Sequence, residues 1–246
     1  MVIHTNSYTL YLHGLPGSGD ELRMVELSVP HSPKVIAPLD FQALDSFVAT
    51  HGKVRLVAFS LGAFSALQMA ATRPDHISEI ILISPAGPLE LGDFLENMAG
   101  APIFKTAHAS KIGLLLLTAM QSMVAFVAPK FLLTQMFAAS CDADKELLND
   151  PIFVSCATAG LRQSLHHNAK SYRHAIVKYV QPWAEKLGKV RCDVTIYHGE
   201  LDTWSPVEMS EALKSALTAR TELIIEPKQG HYSTLLNVLP KVFETS

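Results

Sequence analysis

The chain has 246 residues, of which 48% are hydrophobic and 17% charged, and a formal charge of −3. That length suits one α/β domain with a sizeable core rather than two independent domains, and the slight acidity, with no polybasic or aromatic-interleaved basic segment, argues against nucleic acid as a partner. Cys141, Cys156 and Cys192 are odd in number and lack metal-ligand pair spacing, so neither a disulfide framework nor a zinc site is expected.

Residues 1–7 lack the basic stretch and apolar core of a secretory leader, which makes the cytoplasm the expected compartment. Residues 8–13 form a strand-like run that ends in His13-Gly14-Leu15-Pro16-Gly17-Ser18-Gly19, residues 34–37 a second such run, and residues 41–50 a plausible helix. Residues 54–59, VRLVAF, are a short apolar run suited to a strand covered on both faces, and residues 63–72 are apolar at helical spacing up to Arg73-Pro74. Ser60 stands between the two, with small residues, Ala58 and Gly62, two positions to either side. This pattern predicts a sharp turn that lifts Ser60 out of the sheet, because larger flanking side chains would collide as the backbone doubles back. The next strands are expected at 79–84, 193–198 and 222–226. A helix with Pro206 in its first turn spans 206–217, and a last helix begins near Ser233, with Pro240 expected to disturb it. Strands alternating with helices imply a parallel sheet.

Two further segments stand out: His198-Gly199-Glu200-Leu201-Asp202 and Gly230-His231-Tyr232-Ser233. The order along the chain is therefore serine, acid, histidine. With the early His-Gly loop and a long insertion between the halves, the chain resembles the α/β-hydrolase superfamily over nearly its whole length. Its one departure is Ala58, where the strict turn pattern has Gly. The resemblance implies a mostly parallel sheet of about six strands with helices on both faces, built from residues 1–87 and 181–246, and a helical cap over residues 88–180. The family's N-terminal hairpin is expected to be missing, since seven residues precede Tyr8. Chain direction across the sheet would then reverse between residues 8–13 and 54–59, where crevices open at strand ends.

The resemblance also implies roles: Ser60 as nucleophile, His231 as base, Asp202 as the acid that orients it, and the backbone N–H groups of Leu15 and Leu61 as the oxyanion hole. No cofactor and no metal is implied. Plainer readings compete with these roles. Ser60 or Asp202 could simply cap a following helix, Glu200 is a rival acid, and His231 could lie on the surface. His13 belongs to the turn that presents Leu15. His166, His167 and His174 are not spaced to place a pair on adjacent turns of one helical face.

Within the insertion, residues 112–128 are the most apolar stretch, yet short for a membrane span and interrupted by Thr118, Gln121 and Ser122. A buried or substrate-facing helix is expected, with a peripheral membrane contact as the lesser alternative. Phe59, Met120, Met123, Phe126 and Trp204 are the candidate substrate-binding residues, with Phe131, Met136 and Phe137 as further apolar material. The implied partner is a small molecule with an apolar acyl or alkyl group, and the protein a monomer or homodimer. The expected activity is serine hydrolysis of a carboxylic ester or thioester. Two rivals remain: a carbon-carbon bond hydrolase or elimination enzyme, similar to the menaquinone-pathway synthase, for which Arg162 and Arg173 would bind a substrate carboxylate, and a ligand receptor on a hydrolase scaffold.

Overall fold

In the computed structural model, which describes residues 8–27 and 33–244, six strands form one sheet. Residues 1–7, on which the leader and hairpin expectations rest, lie outside the described residues. The strands β1 (Thr9–Leu12), β2 (Lys34–Val35), β3 (Val54–Phe59), β4 (Ile77–Ile83), β5 (Asp193–Gly199) and β6 (Thr221–Glu226) pair in the order β2-β1-β3-β4-β5-β6, every pair parallel. The order reverses between β1 and β3, which places a crevice at their carboxyl ends. β3 is buried along its whole length, which is why, Arg55 apart, it reads as an apolar run rather than an alternating one.

Between these strands run α1 (Phe41–His51) and α2 (Gly62–Thr72), the second packed on β3, β1 and β4. The insertion between β4 and β5 contains α3 (Ala101–Ala109), α4 (Lys111–Val127), α5 (Pro129–Met136), α6 (Asp142–Glu146), α7 (Pro151–Arg162) and α8 (Ala169–Tyr179). The last two are joined by a π-helical turn, Gln163–His167. The core closes with α9 (Glu208–Ala216) and α10 (His231–Glu244), the latter packed against β5 and β4. α10 starts at His231 rather than Ser233 and runs through Pro240, whose missing N–H leaves only the Leu236 carbonyl without its helical donor.

Among the described residues no single helix is long and apolar enough to cross a membrane, and α4 and α5 bend by 120° at Ala128. The expectation that α4 is buried holds for one side only. Leu114, Thr118 and Ala125 face inward, whereas Ile112, Leu116, Met120, Met123, Phe126 and Val127 are exposed. α4 is apolar all round, so whichever side faces water carries apolar groups.

Candidate functional site

β3 delivers the chain into a turn at Ser60, whose φ of 53° lies in the left-handed region that non-glycine residues rarely occupy. Backbone hydrogen bonds hold the strained residue: its N–H donates to the Ile83 carbonyl at 3.0 Å, and its own carbonyl accepts from Ala63 (3.0 Å) and Ala86 (3.1 Å). Gly62 makes the turn possible. A Cβ there would stand 2.2 Å from the Leu12 carbonyl oxygen, so only glycine lets α2 begin against the end of β1. Leu15, in the loop after β1, and Ser60 line the same cavity. Among the described residues, the N–H groups of Leu15 and Leu61 donate to no protein acceptor.

Asp202 and His231 meet across the ends of β5 and β6. Nδ1 of His231 donates to Asp202 Oδ2 at 2.7 Å, with both side chains buried. The other carboxylate oxygen, Oδ1, accepts from the N–H groups of Trp204 (2.8 Å) and Ser205 (3.0 Å). Burial works to raise the Asp202 pKa, but His231, His198 and the Ser205 amide outweigh it and hold the carboxyl below its ordinary value. His198 sits 3.4 Å from the same Oδ2. Its Nε2 lies 2.7 Å from the Ser205 carbonyl, which can only accept, so Nε2 carries the proton and Nδ1 accepts from the Ser210 hydroxyl. Burial pushes the His198 pKa down and keeps that ring neutral. Glu200, the rival acid, is exposed and accepts instead from the Lys228 N–H at 3.0 Å.

The His231 ring is clamped on its faces. Trp204 stacks on it at 5.4 Å and 6°, and Phe59, the residue before Ser60, tilts against it at 4.7 Å. The Ser60 hydroxyl makes no direct hydrogen bond to His231 among the described residues; such contacts tighten when substrate binds.

Two buried carboxyl groups that nothing in the sequence singled out brace this arrangement. Asp144, on α6 of the insertion, accepts from the His231 N–H (2.8 Å), the Ser233 N–H (2.8 Å) and the Ser233 hydroxyl (2.7 Å). It thereby caps the N-terminus of α10, where the helix leaves donors unsatisfied. Glu21 lies under the loop that follows β1: the Tyr11 hydroxyl donates to its Oε2 at 2.6 Å, and the Gly14 N–H is 3.2 Å from both oxygens. Burial dominates the Glu21 environment and lifts its pKa from 4.5 to about 8 against those hydrogen bonds. No spacing rule joins Asp144 to a histidine 87 positions later, and Glu21 reads as an ordinary first-turn acid.

Ser60, Leu15 and Leu61 open onto a cavity of about 190 Å³ whose far wall is the insertion: Ile103, Phe104, Leu117, Gln121, Leu132, Met136, Leu165, Tyr172 and Ile176. No acidic or basic side chain lines it among the described residues. Of the expected substrate-binding residues, Trp204 lies on the wall. Phe59 is fully buried beneath His231 and does not reach the cavity. Met120, Met123 and Phe126 point to solvent, because a helix that turns Leu117 and Gln121 inward at 3.6 residues per turn turns those three outward. Arg162 and Arg173 also lie off the cavity: Arg162 donates to the Phe126 carbonyl at 3.5 Å and Arg173 to the Thr118 hydroxyl at 3.4 Å.

The family profile described as "alpha/beta hydrolase fold" matches residues 49–238. Among curated proteins no sequence matches the chain. Among solved structures, MenH from S. aureus is 16% identical with a TM-score of 0.65, over 99% of this chain and 94% of that one. A thermophilic esterase from Thermogutta terrifontis is 17% identical with a TM-score of 0.62, over 98% and 88%. A bromoperoxidase from Bacillus anthracis is 13% identical with a TM-score of 0.62, over 98% and 92%. At these identities the likeness is one of fold.

Proposed function

The chain belongs to the alpha/beta hydrolase family, and from that premise we propose that it is a serine hydrolase cleaving a carboxylic ester or thioester of a small to medium, largely apolar acyl substrate. The observation that carries this reading is the buried Asp202–His231 pair, 2.7 Å apart and clamped between Trp204 and the residue before a strained Ser60 at an apolar cavity. With Nδ1–H given to Asp202, Nε2 of His231 is left to accept the Ser60 proton as Oγ attacks the substrate carbonyl carbon. The negative charge on the carbonyl oxygen is met by the N–H groups of Leu15 and Leu61, each worth about 3 to 4 kcal/mol in such a role. His231 then returns the proton to the departing alcohol or thiol, leaving the acyl group on Ser60. Water, deprotonated by His231, then attacks the acyl carbon; the bond to Ser60 Oγ breaks, His231 returns the proton to Oγ, and the free acid departs. Asp202 stays ionised throughout and stabilises the imidazolium.

The cavity argues for an acyl group over a carboxylate-bearing substrate. Among the described residues no cation lines it, and the two arginines that would favour the synthase-like reading point elsewhere. An apolar cavity of 150 Å³ holds a benzene-sized guest, so about 190 Å³ suits a short to medium chain. The test is hydrolysis of a chromogenic ester series, from acetyl to long acyl, by wild type beside Ser60→Ala, together with fluorophosphonate labelling. Turnover of short to medium esters and labelling of the wild type alone are expected. Full turnover by Ser60→Ala would overturn the reading.

A further inference from the structure

α4 presents a continuous apolar stripe to solvent. Ile112, Leu116, Met123 and Val127 are 72%, 66%, 63% and 73% exposed, and Leu115, Met120 and Phe126 are at least half exposed beside them. At 1.5 Å per residue the stripe is about 22 Å long, and Phe131, on α5 just past the bend, is 61% exposed as well. Isolated exposed apolar residues are ordinary, whereas a contiguous patch of this kind marks a docking surface.

The charges around it decide the partner. No Asp or Glu occurs between residues 98 and 140 or between 151 and 183, although the whole chain is net negative. Cations border the stripe: Lys111 at the start of α4, Lys130 just past the bend, and Arg162, whose guanidinium donates to the Phe126 carbonyl. A second copy docking symmetrically through this face would bring a second set of the same cations to its rim, and no acidic side chain from these segments to pair with them. A bilayer with anionic headgroups offers the complement of both parts: hydrocarbon for the stripe, negative charge for its rim.

We propose that the outer face of α4 and α5 seats the protein on the surface of an anionic phospholipid membrane, lying in the interface without crossing it. The opposite face of the same helix contributes Leu117 and Gln121 to the cavity, so the seated protein holds a cavity wall against the lipid. This inference stands on surface composition and is independent of the reaction assigned above.

The experiment is co-sedimentation of the full chain with vesicles of phosphatidylcholine alone and of phosphatidylcholine mixed with phosphatidylglycerol, at low and high salt. Pelleting with the mixed vesicles, weakened by salt, is expected. Leu116→Ser and Val127→Ser should each weaken partitioning about tenfold, and Lys111→Gln and Lys130→Gln about fivefold each on the mixed vesicles. Circular dichroism checks that the variants are folded; should the apolar variants not fold, the lysine variants carry the test. Absence of binding to either vesicle would overturn the proposal. So would a dimer in size-exclusion chromatography that Leu116→Ser converts to monomer, since the stripe would then be an interface between copies.

Discussion

Replacing Glu21 with Gln isolates a proton buried under the loop that carries Leu15. In the unfolded chain this carboxyl ionises near 4.5; in the folded protein it holds its proton up to about 8. Between those values folding takes up a proton, so the stability that this group contributes is fully present below pH 4.5 and is lost as pH rises through about 8. A rise from 4.5 to about 8 corresponds to about 5 kcal/mol. Glu21→Gln keeps the shape and an acceptor for the Tyr11 hydroxyl and the Gly14 N–H, but has no proton to lose. Wild type and variant should therefore be similarly stable in acid, and the variant should gain on wild type by about 5 kcal/mol above pH 8. Urea unfolding of both proteins across this range measures the difference, because titrating groups common to the two cancel. Parallel stability profiles would refute the reasoning and mean that Glu21 is already ionised at neutral pH.

Asp202→Asn should fold, yet lose about 10⁴-fold in kcat on any ester the wild type cleaves, because the amide favours the wrong His231 tautomer; a loss below tenfold would remove Asp202 from its role. Asp144→Ala strips three hydrogen bonds from the start of α10 and leaves buried donors behind, for an expected loss of about 3 to 5 kcal/mol in urea unfolding and a fall in kcat with little change in KM. Stability within about 1 kcal/mol of wild type would contradict the brace. Gly62→Ala puts a Cβ into the Leu12 carbonyl, so a lower melting temperature, by the equivalent of about 2 to 3 kcal/mol, and slower fluorophosphonate labelling are expected. An unchanged melting temperature would show that α2 can shift away from β1.

The parts of the site written in local order were legible. A strand-to-helix junction with small flanking residues announces the turn at Ser60, and parallel pairing follows from alternating strands and helices, whereas the reversal of strand order was implied by the family resemblance. Asp202 and Glu200 stand two positions apart, and only the fold tells them apart, by turning one toward His231 and the other toward Lys228. Asp144 was illegible because its partner is set by how the insertion folds back. The facing of α4 failed for a different reason: with apolar residues on every side, periodicity could not distinguish the wall of the cavity from the surface in water. Met120, Met123 and Phe126 were thus read on the wrong side of a helix correctly placed.

The Asp144 hydrogen bonds also bear on how enzymes of this build can be re-engineered. Insertions of this kind invite exchange, since here the insertion forms most of the cavity wall and is joined to the sheet by the chain at only two points. Here a transplant would remove more than a wall. The helix that begins with His231 would lose its N-terminal acceptor, so a grafted insertion must bring a carboxylate to the same place, or the recipient will inherit a new cavity wall together with a loosened His231. Screens for altered substrate range should therefore hold residues 141–146 constant and vary the helices on either side.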